Sequence, residues 1–286
     1  MKNLLLSFFT FTSFTLFAQT PYSLKTGREA VLLGAGVVSY GAAYAFNKNL
    51  DPLTPAQISQ LNPANVPSFD RSATTNFSVG ADKLSDATLI GGIGLTGAVI
   101  VTSHSPSRRN ASFTDSDLFT VGMMYAETML LTNGVKSAVK NAVERTRPYA
   151  YNPVAPLSDK LEKDAQRSFY SGHAANAFAT AVFAAEVFRH YHPNSAAKPW
   201  VWIGSLGLAS STAYLRYHAG QHFPTDLLAG AAIGSLAGWG IPKLHQNRTG
   251  ASAARWREVT VTPWSNGLAS GVYLRWTLTS HPTAVQ

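Results

Sequence analysis

Six stretches of this chain are long, poor in charge and rich in small and aliphatic residues, which commits it to helices packed on helices. Residues 30–46, 87–102 and 227–241 contain no charged side chain. Residues 173–190 carry only Glu186 and Arg189, and residues 200–217 open with Trp200 and Trp202, a pair that suits a membrane interface or a packed helix start. Residues 118–143 follow Asp115-Ser116-Asp117, an N-cap signal, and bear Glu127, which is costly against lipid and easier inside a bundle. Pro242 should stop the last helix. The uncharged runs sit near the lower length limit for crossing a bilayer, so a membrane span and a core helix both remain open.

Around these runs the chain changes character. Residues 1–18 read as a signal peptide: Lys2, then an apolar run from Leu4 to Phe17, then Ala18. Residues 47–83 form a polar, proline-bearing loop, and residues 148–167 a second, charged one. In 259–278 the period drops to two, with Val272, Leu274, Trp276 and Leu278 alternating with polar residues beyond an Asn266-Gly267 turn, so a β-hairpin is expected. The expected fold is all-α, a bundle of about six helices with a short C-terminal hairpin. Its divisions are 1–18, 19–116 (N-terminal helices and loop), 117–245 (catalytic core) and 246–286 (tail).

Charged residues make up only 13 % of the chain, yet the net charge is +8. That combination suits an anionic amphiphile or a membrane surface. A nucleic-acid partner is not expected, because no dense basic run or nucleic-acid motif is present. Cysteine is absent, which removes disulfides and thiolate metal sites. The histidines and acids form no His-Glu-x-x-His or comparable ligand set, so no metal is expected. Oligomeric state is not legible.

Three short stretches carry the chemistry. Residues 140–148 place Lys140 seven residues before Arg147-Pro148. Residues 168–176 place Ser171-Gly172-His173 at a helix start. Residues 215–230 place Arg216 six residues before His222, with Asp226 four further on. A four-residue step lets a carboxylate lie beside an imidazole on one helix face. Taken singly, each has an ordinary explanation: Lys140 pairing with Glu144, Arg145, Arg147 and Arg167 as solvated charges, Ser171 as an N-cap, Asp226 as a capping acid.

Together and in this order they resemble the three signature motifs of the type 2 phosphatidic acid phosphatase and vanadium haloperoxidase superfamily. Tyr170 stands where that family usually has proline, and Leu215 where it usually has serine. Tyr170 is placed to narrow the substrate mouth. The resemblance implies His222 as a nucleophile forming a phosphohistidine, Asp226 holding its other nitrogen, and His173 as leaving-group acid. It implies Lys140, Arg147, Arg216 and the backbone N–H groups of Ser171 and Gly172 as the phosphate cradle. The implied activity is metal-independent hydrolysis of a phosphomonoester or pyrophosphate, a lipid phosphate first, with no cofactor. Vanadate would be one only in a haloperoxidase, the alternative, and a catalytically inactive envelope binding protein is the other. An exported protein is expected, in the periplasm or inner membrane, its site facing the periplasm. The basic residues Arg108, Arg109, Lys198, Lys243 and Arg248 complicate that topology, since they fall on the face opposite Lys140.

Overall fold

The charge-poor runs all become helices. In the computed structural model, which describes residues 20–47, 51–103, 115–247, 259–265 and 270–276, the long helices are α1 (Thr26–Asn47), α4 (Val79–Ser103), α5 (Asp115–Val143), α7 (Gly172–Tyr191), α8 (Lys198–His218) and α9 (Pro224–His245). Three short ones, α2 (Pro55–Ser59), α3 (Ser68–Arg71) and α6 (Leu157–Lys160), bring the described α-helices to nine rather than about six. The difference lies in the two connecting loops. A helix of four or five residues shows no hydrophobic period and is set by its ends instead. In α2 the Thr54 side chain accepts from Gln57 N while the Gln57 side chain accepts from Thr54 N, a capping box around Pro55. The expected signal peptide lies outside the described residues.

The chain divides into two units, residues 1–245 and 246–286. In the second, β1 (Val259–Ser265) and β2 (Ser270–Trp276) pair antiparallel, with Val259 opposite Trp276 and Ser265 opposite Ser270. The Asn266-Gly267 turn lies outside the described residues.

At the centre of the first unit α7 packs on α9 through backbone rather than side chains. Gly230, Gly234 and Gly238 recur every four residues, one face of α9. A methyl group on Gly230 would meet Ser171 O at 2.5 Å, and on Gly234 or Gly238 would overlap the carbonyl oxygens of Ala175 and Ala179 outright. The facing stripe of α7 is Ala174, Ala175, Ala179 and Phe183, all fully buried. This close approach holds the first turns of the two helices together, and Ser171 N donates to Asp226 O at 3.0 Å across it. Pro242 does not end α9, which continues to His245. Tertiary packing carries the last turn through, with Ile241, Pro242 and His245 all buried.

The outside of the bundle is apolar. Val31, Ile90, Trp200, Leu228 and Leu236 are each more than 60 % exposed. Val79–Val101 and Pro224–His245 are long and apolar enough to cross a membrane.

Candidate active site

Local sequence brings the site residues to one end of the bundle. Lys140 lies in the last turn of α5 and is buried. Arg147 starts the 3₁₀ turn at Pro148, and Ser171 caps α7, its hydroxyl accepting from Ala174 N at 3.3 Å. Arg216 sits in the last turn of α8. Gly220, left-handed at φ +72° and pressed against Asn76, then turns the chain so that His222 points inward before α9 begins.

His222 is 1 % exposed, and Lys140, Arg147, Arg216 and His173 all act on it electrostatically. Burial first, and the basic side chains of Lys140, Arg147 and Arg216 second, hold its pKa well below that of an ordinary histidine. The ring is therefore neutral at physiological pH and keeps a lone pair. Arg147 acts electrostatically on both Lys140 and Arg216, and burial first, then Arg147, holds the Lys140 pKa well below that of an ordinary lysine.

The partners of these groups differ in part from what the motifs imply. His222 Nδ1 lies 3.9 Å from Asp226 Oδ2 and makes no hydrogen bond. Asp226 is engaged elsewhere: it accepts from Ser168 Oγ at 2.5 Å, Phe223 N at 3.0 Å and Arg145 Nη1 at 2.5 Å. Its bond to Phe223 N is the N3-to-cap half of a capping box. Asp226 thus builds the start of α9 and faces the ring without holding it. The Ser171 N–H, expected in the cradle, is spent on Asp226 O. The first-turn N–H groups of Gly172 and His173, which have no intrahelical acceptor, remain at the helix N-terminus. Tyr170 is fully buried against Phe169 and cannot line an open mouth.

Several participants were not legible in the motifs. Arg145, read as a solvated charge, bridges Asp226 to Asp70 (Nη2–Oδ2, 2.7 Å) and stacks 4.3 Å above the Phe223 ring. Asp70 is buried, which would raise its pKa, but Thr225 Oγ1 at 2.6 Å, Thr225 N at 3.0 Å and Arg145 outweigh this and keep it ionised. Asp164 pairs with Arg147 at 2.6 Å, and Gln221 Oε1 accepts from Arg147 Nη1. Burial would raise the Asp164 pKa too, yet Arg147, Lys140 and Arg167 hold it below the usual range. From α4, Asp82 pairs with Arg216, and Asp86 Oδ1 lies 2.6 Å from His173 Nε2. The signal was present: Asp82 and Asp86 are one helical turn apart at the polar start of an otherwise uncharged run. Nothing in sequence tied them to the motifs.

Asp86 is the hydrogen-bond partner of His173, the residue the motifs imply as leaving-group acid. Burial and the Arg216 guanidinium push His173 down to about 4, against the pull of Asp86 and Asp82. Removing that pull lowers it further. Asp86→Asn is accordingly predicted to move the basic limb of the kcat/KM profile for an alkyl phosphate down by about one pH unit, leaving aryl phosphates nearly unaffected. Profiles that superimpose for both substrates rule this role out.

Comparison with known proteins agrees with the motif reading. The PAP2 superfamily model matches residues 121–250. A lipid A 4'-phosphatase of Bacteroides thetaiotaomicron is 35 % identical over 108 residues, 36 % of this chain and 44 % of the relative. A lipid A 1-phosphatase of Porphyromonas gingivalis is 28 % identical over 111 residues, 38 % of this chain and 22 % of that one. The matches span less than half the length of both relatives. A crystal structure of a transmembrane PAP2-type phosphatidylglycerolphosphate phosphatase from Bacillus subtilis aligns over 75 % of this chain and 96 % of its own, with a TM-score of 0.43 and 20 % identity.

Proposed function

We propose that this chain, whose residues 121–250 match the PAP2 superfamily model, is a metal-independent lipid phosphate phosphatase working through a phosphohistidine. The observation that carries this is a neutral, buried His222 ringed by Lys140, Arg147, Arg216 and His173. Such a site attracts a phosphoryl dianion and offers it a nucleophile. His222 Nδ1 faces Asp226, so Nε2 attacks phosphorus while the three cations hold the equatorial oxygens. His173, protonated once a bound phosphoryl dianion draws its pKa back up, gives its proton to the departing alkoxide, then takes one from the water that cleaves the P–N bond and restores His222. As the His222 ring gains charge on attack, Asp226 at 3.9 Å is the carboxylate positioned to stabilise it.

The lipid assignment rests on the surface. An apolar cleft of about 150 Å³ between α4, α7 and α8 is lined by Leu89, Leu95, Ala177, Ala181, Trp200 and Leu208. Leu89 is within one turn of Asp86, so an acyl chain in the cleft leads towards His173 and the cations. The relatives that act on lipid A support a phosphorylated glycolipid as the headgroup. We place the protein in the membrane through Val79–Val101 and Pro224–His245, its site on the periplasmic side after export.

The test compares lipid A or phosphatidate in detergent micelles with a sugar phosphate in the same buffer. A kcat/KM at least about tenfold higher for the lipid is expected, a ~1.4 kcal/mol preference that one or two buried methylenes supply. Vanadate should inhibit both, and a chelator should leave turnover per folded molecule unchanged. Preference for the soluble ester discards the lipid assignment. Turnover that needs added zinc or magnesium discards the mechanism.

A further inference from the structure

Well away from the phosphoryl site, the bundle buries a second group of ionisable side chains. Glu29 from the first turn of α1, Glu127 from the middle of α5 and His245 from the end of α9 converge there. Glu127 and His245 are fully buried, and Glu29 is nearly so. His245 Nε2 lies 3.0 Å from Glu29 Oε1 and 3.2 Å from Glu127 Oε2, and one donor atom from each residue falls within 4.8 Å of the others. Along α5 this point is about 20 Å from Lys140, at ~1.5 Å per residue.

The other ring nitrogen fixes the tautomer. His245 Nδ1 is 2.8 Å from the carbonyl oxygen of Ile241, which can only accept, so Nδ1 carries the hydrogen. In a neutral ring Nε2 then presents a lone pair to two carboxylate oxygens. Three acceptors aim at one point. Neither oxygen of Glu127 nor Nε2 of His245 receives a hydrogen bond. Glu29 is different, because Arg28 Nε and Nη2 donate to Oε1 at 2.9 and 2.7 Å, and Lys25 N donates to Oε2 at 2.5 Å. Arg28 balances Glu29 and leaves Glu127 buried without a counter-charge, a costly arrangement unless something positive occupies the centre.

We propose that Glu29, Glu127 and His245 bind a divalent cation of zinc type, which ties α1, α5 and α9 together. Neighbouring ligands on a tetrahedral ion with ~2.0–2.1 Å bonds stand about 3.3 Å apart, close to the two measured separations. Calcium, with its longer bonds and many oxygen ligands, would spread them further and has no use for an imidazole. A ring whose second N–H is held by a backbone carbonyl is the usual posture of a ligating histidine. The ion sits in none of the proposed chemical steps. Its role is to hold three helices, and the proposal does not depend on the phosphatase reading.

The test is metal content and thermal unfolding of the full-length chain purified in detergent. After exposure to zinc and dialysis, about one zinc per chain is expected, together with a melting temperature that a chelator lowers and zinc restores. Glu127→Gln and Glu29→Gln should each lose the zinc and the chelator-sensitive part of the melting temperature, while His222→Ala keeps both. The rival occupant is a proton on Glu127 or His245. A wild-type chain that retains neither zinc nor manganese and melts identically with and without chelator establishes that rival and overturns the proposal, whether or not the variants fold.

Discussion

His222→Ala is expected to lower turnover at least about a thousandfold on every phosphoester tested, as loss of a covalent nucleophile does in other hydrolases. It should also trap no labelled enzyme. Wild-type chain quenched in base during turnover should carry phosphate on His222, in a linkage that acid destroys. The expectation follows from the buried, neutral ring and the basic side chains around it. His173→Ala supplies the contrast. It should be severe for alkyl phosphates, whose alkoxide needs a proton, and mild in the first step for p-nitrophenyl phosphate, whose phenolate leaves unaided. A label found on His173, or one that persists in His222→Ala, would reverse the assignment.

The next largest effect is expected far from any reacting atom. Gly234→Ala adds one methyl group where the carbonyl of Ala175 already lies. The carbonyl belongs to the α7 backbone and cannot rotate aside, so the two helices must separate. Overpacking of this kind costs about 1–3 kcal/mol. The consequence for activity should be larger than that loss suggests. Ser171, His173 and the Gly172 N–H belong to one helix while Asp226 belongs to the other, and a displacement near 1 Å costs about a hundredfold in rate. The check is kcat/KM alongside melting temperature, with Gly240→Ala as control, since nothing lies within 4 Å of a methyl at that position. Equal, small effects for the two variants would show that the close approach does not set the site.

What could be read in the sequence was whatever depends on local spacing. The six long helices follow from runs of uncharged residues, and the motif residues follow from fixed intervals around His173 and His222. Contacts between distant segments could not be read this way. Asp70, 75 residues before Arg145, and Asp86, 87 residues before His173, reach the site only through the fold. Nor does spacing reveal competition. The four-residue step does bring His222 within 3.9 Å of Asp226, although His222 lies ahead of α9, but three other donors reach the carboxylate first. Pro242 was misread for a related reason. Its rule concerns an isolated helix, and the outcome was decided by what packs beside it.

The pairing of Asp82 with Arg216 has a consequence for the whole reaction cycle. On the phosphatase reading, a phosphoryl group entering the cradle does not meet a bare guanidinium; it competes with a carboxylate already paired with Arg216 Nη1. Affinity for the substrate headgroup is then the difference between two anions, and so is affinity for the inorganic phosphate left at the end. A phosphatase site that carries its own displacing anion on a neighbouring helix would hold a dianion firmly enough to react with it and still clear the product. Asp82→Asn should therefore bind phosphate more tightly and release it more slowly, so that inhibition by product becomes the mark of the lost carboxylate.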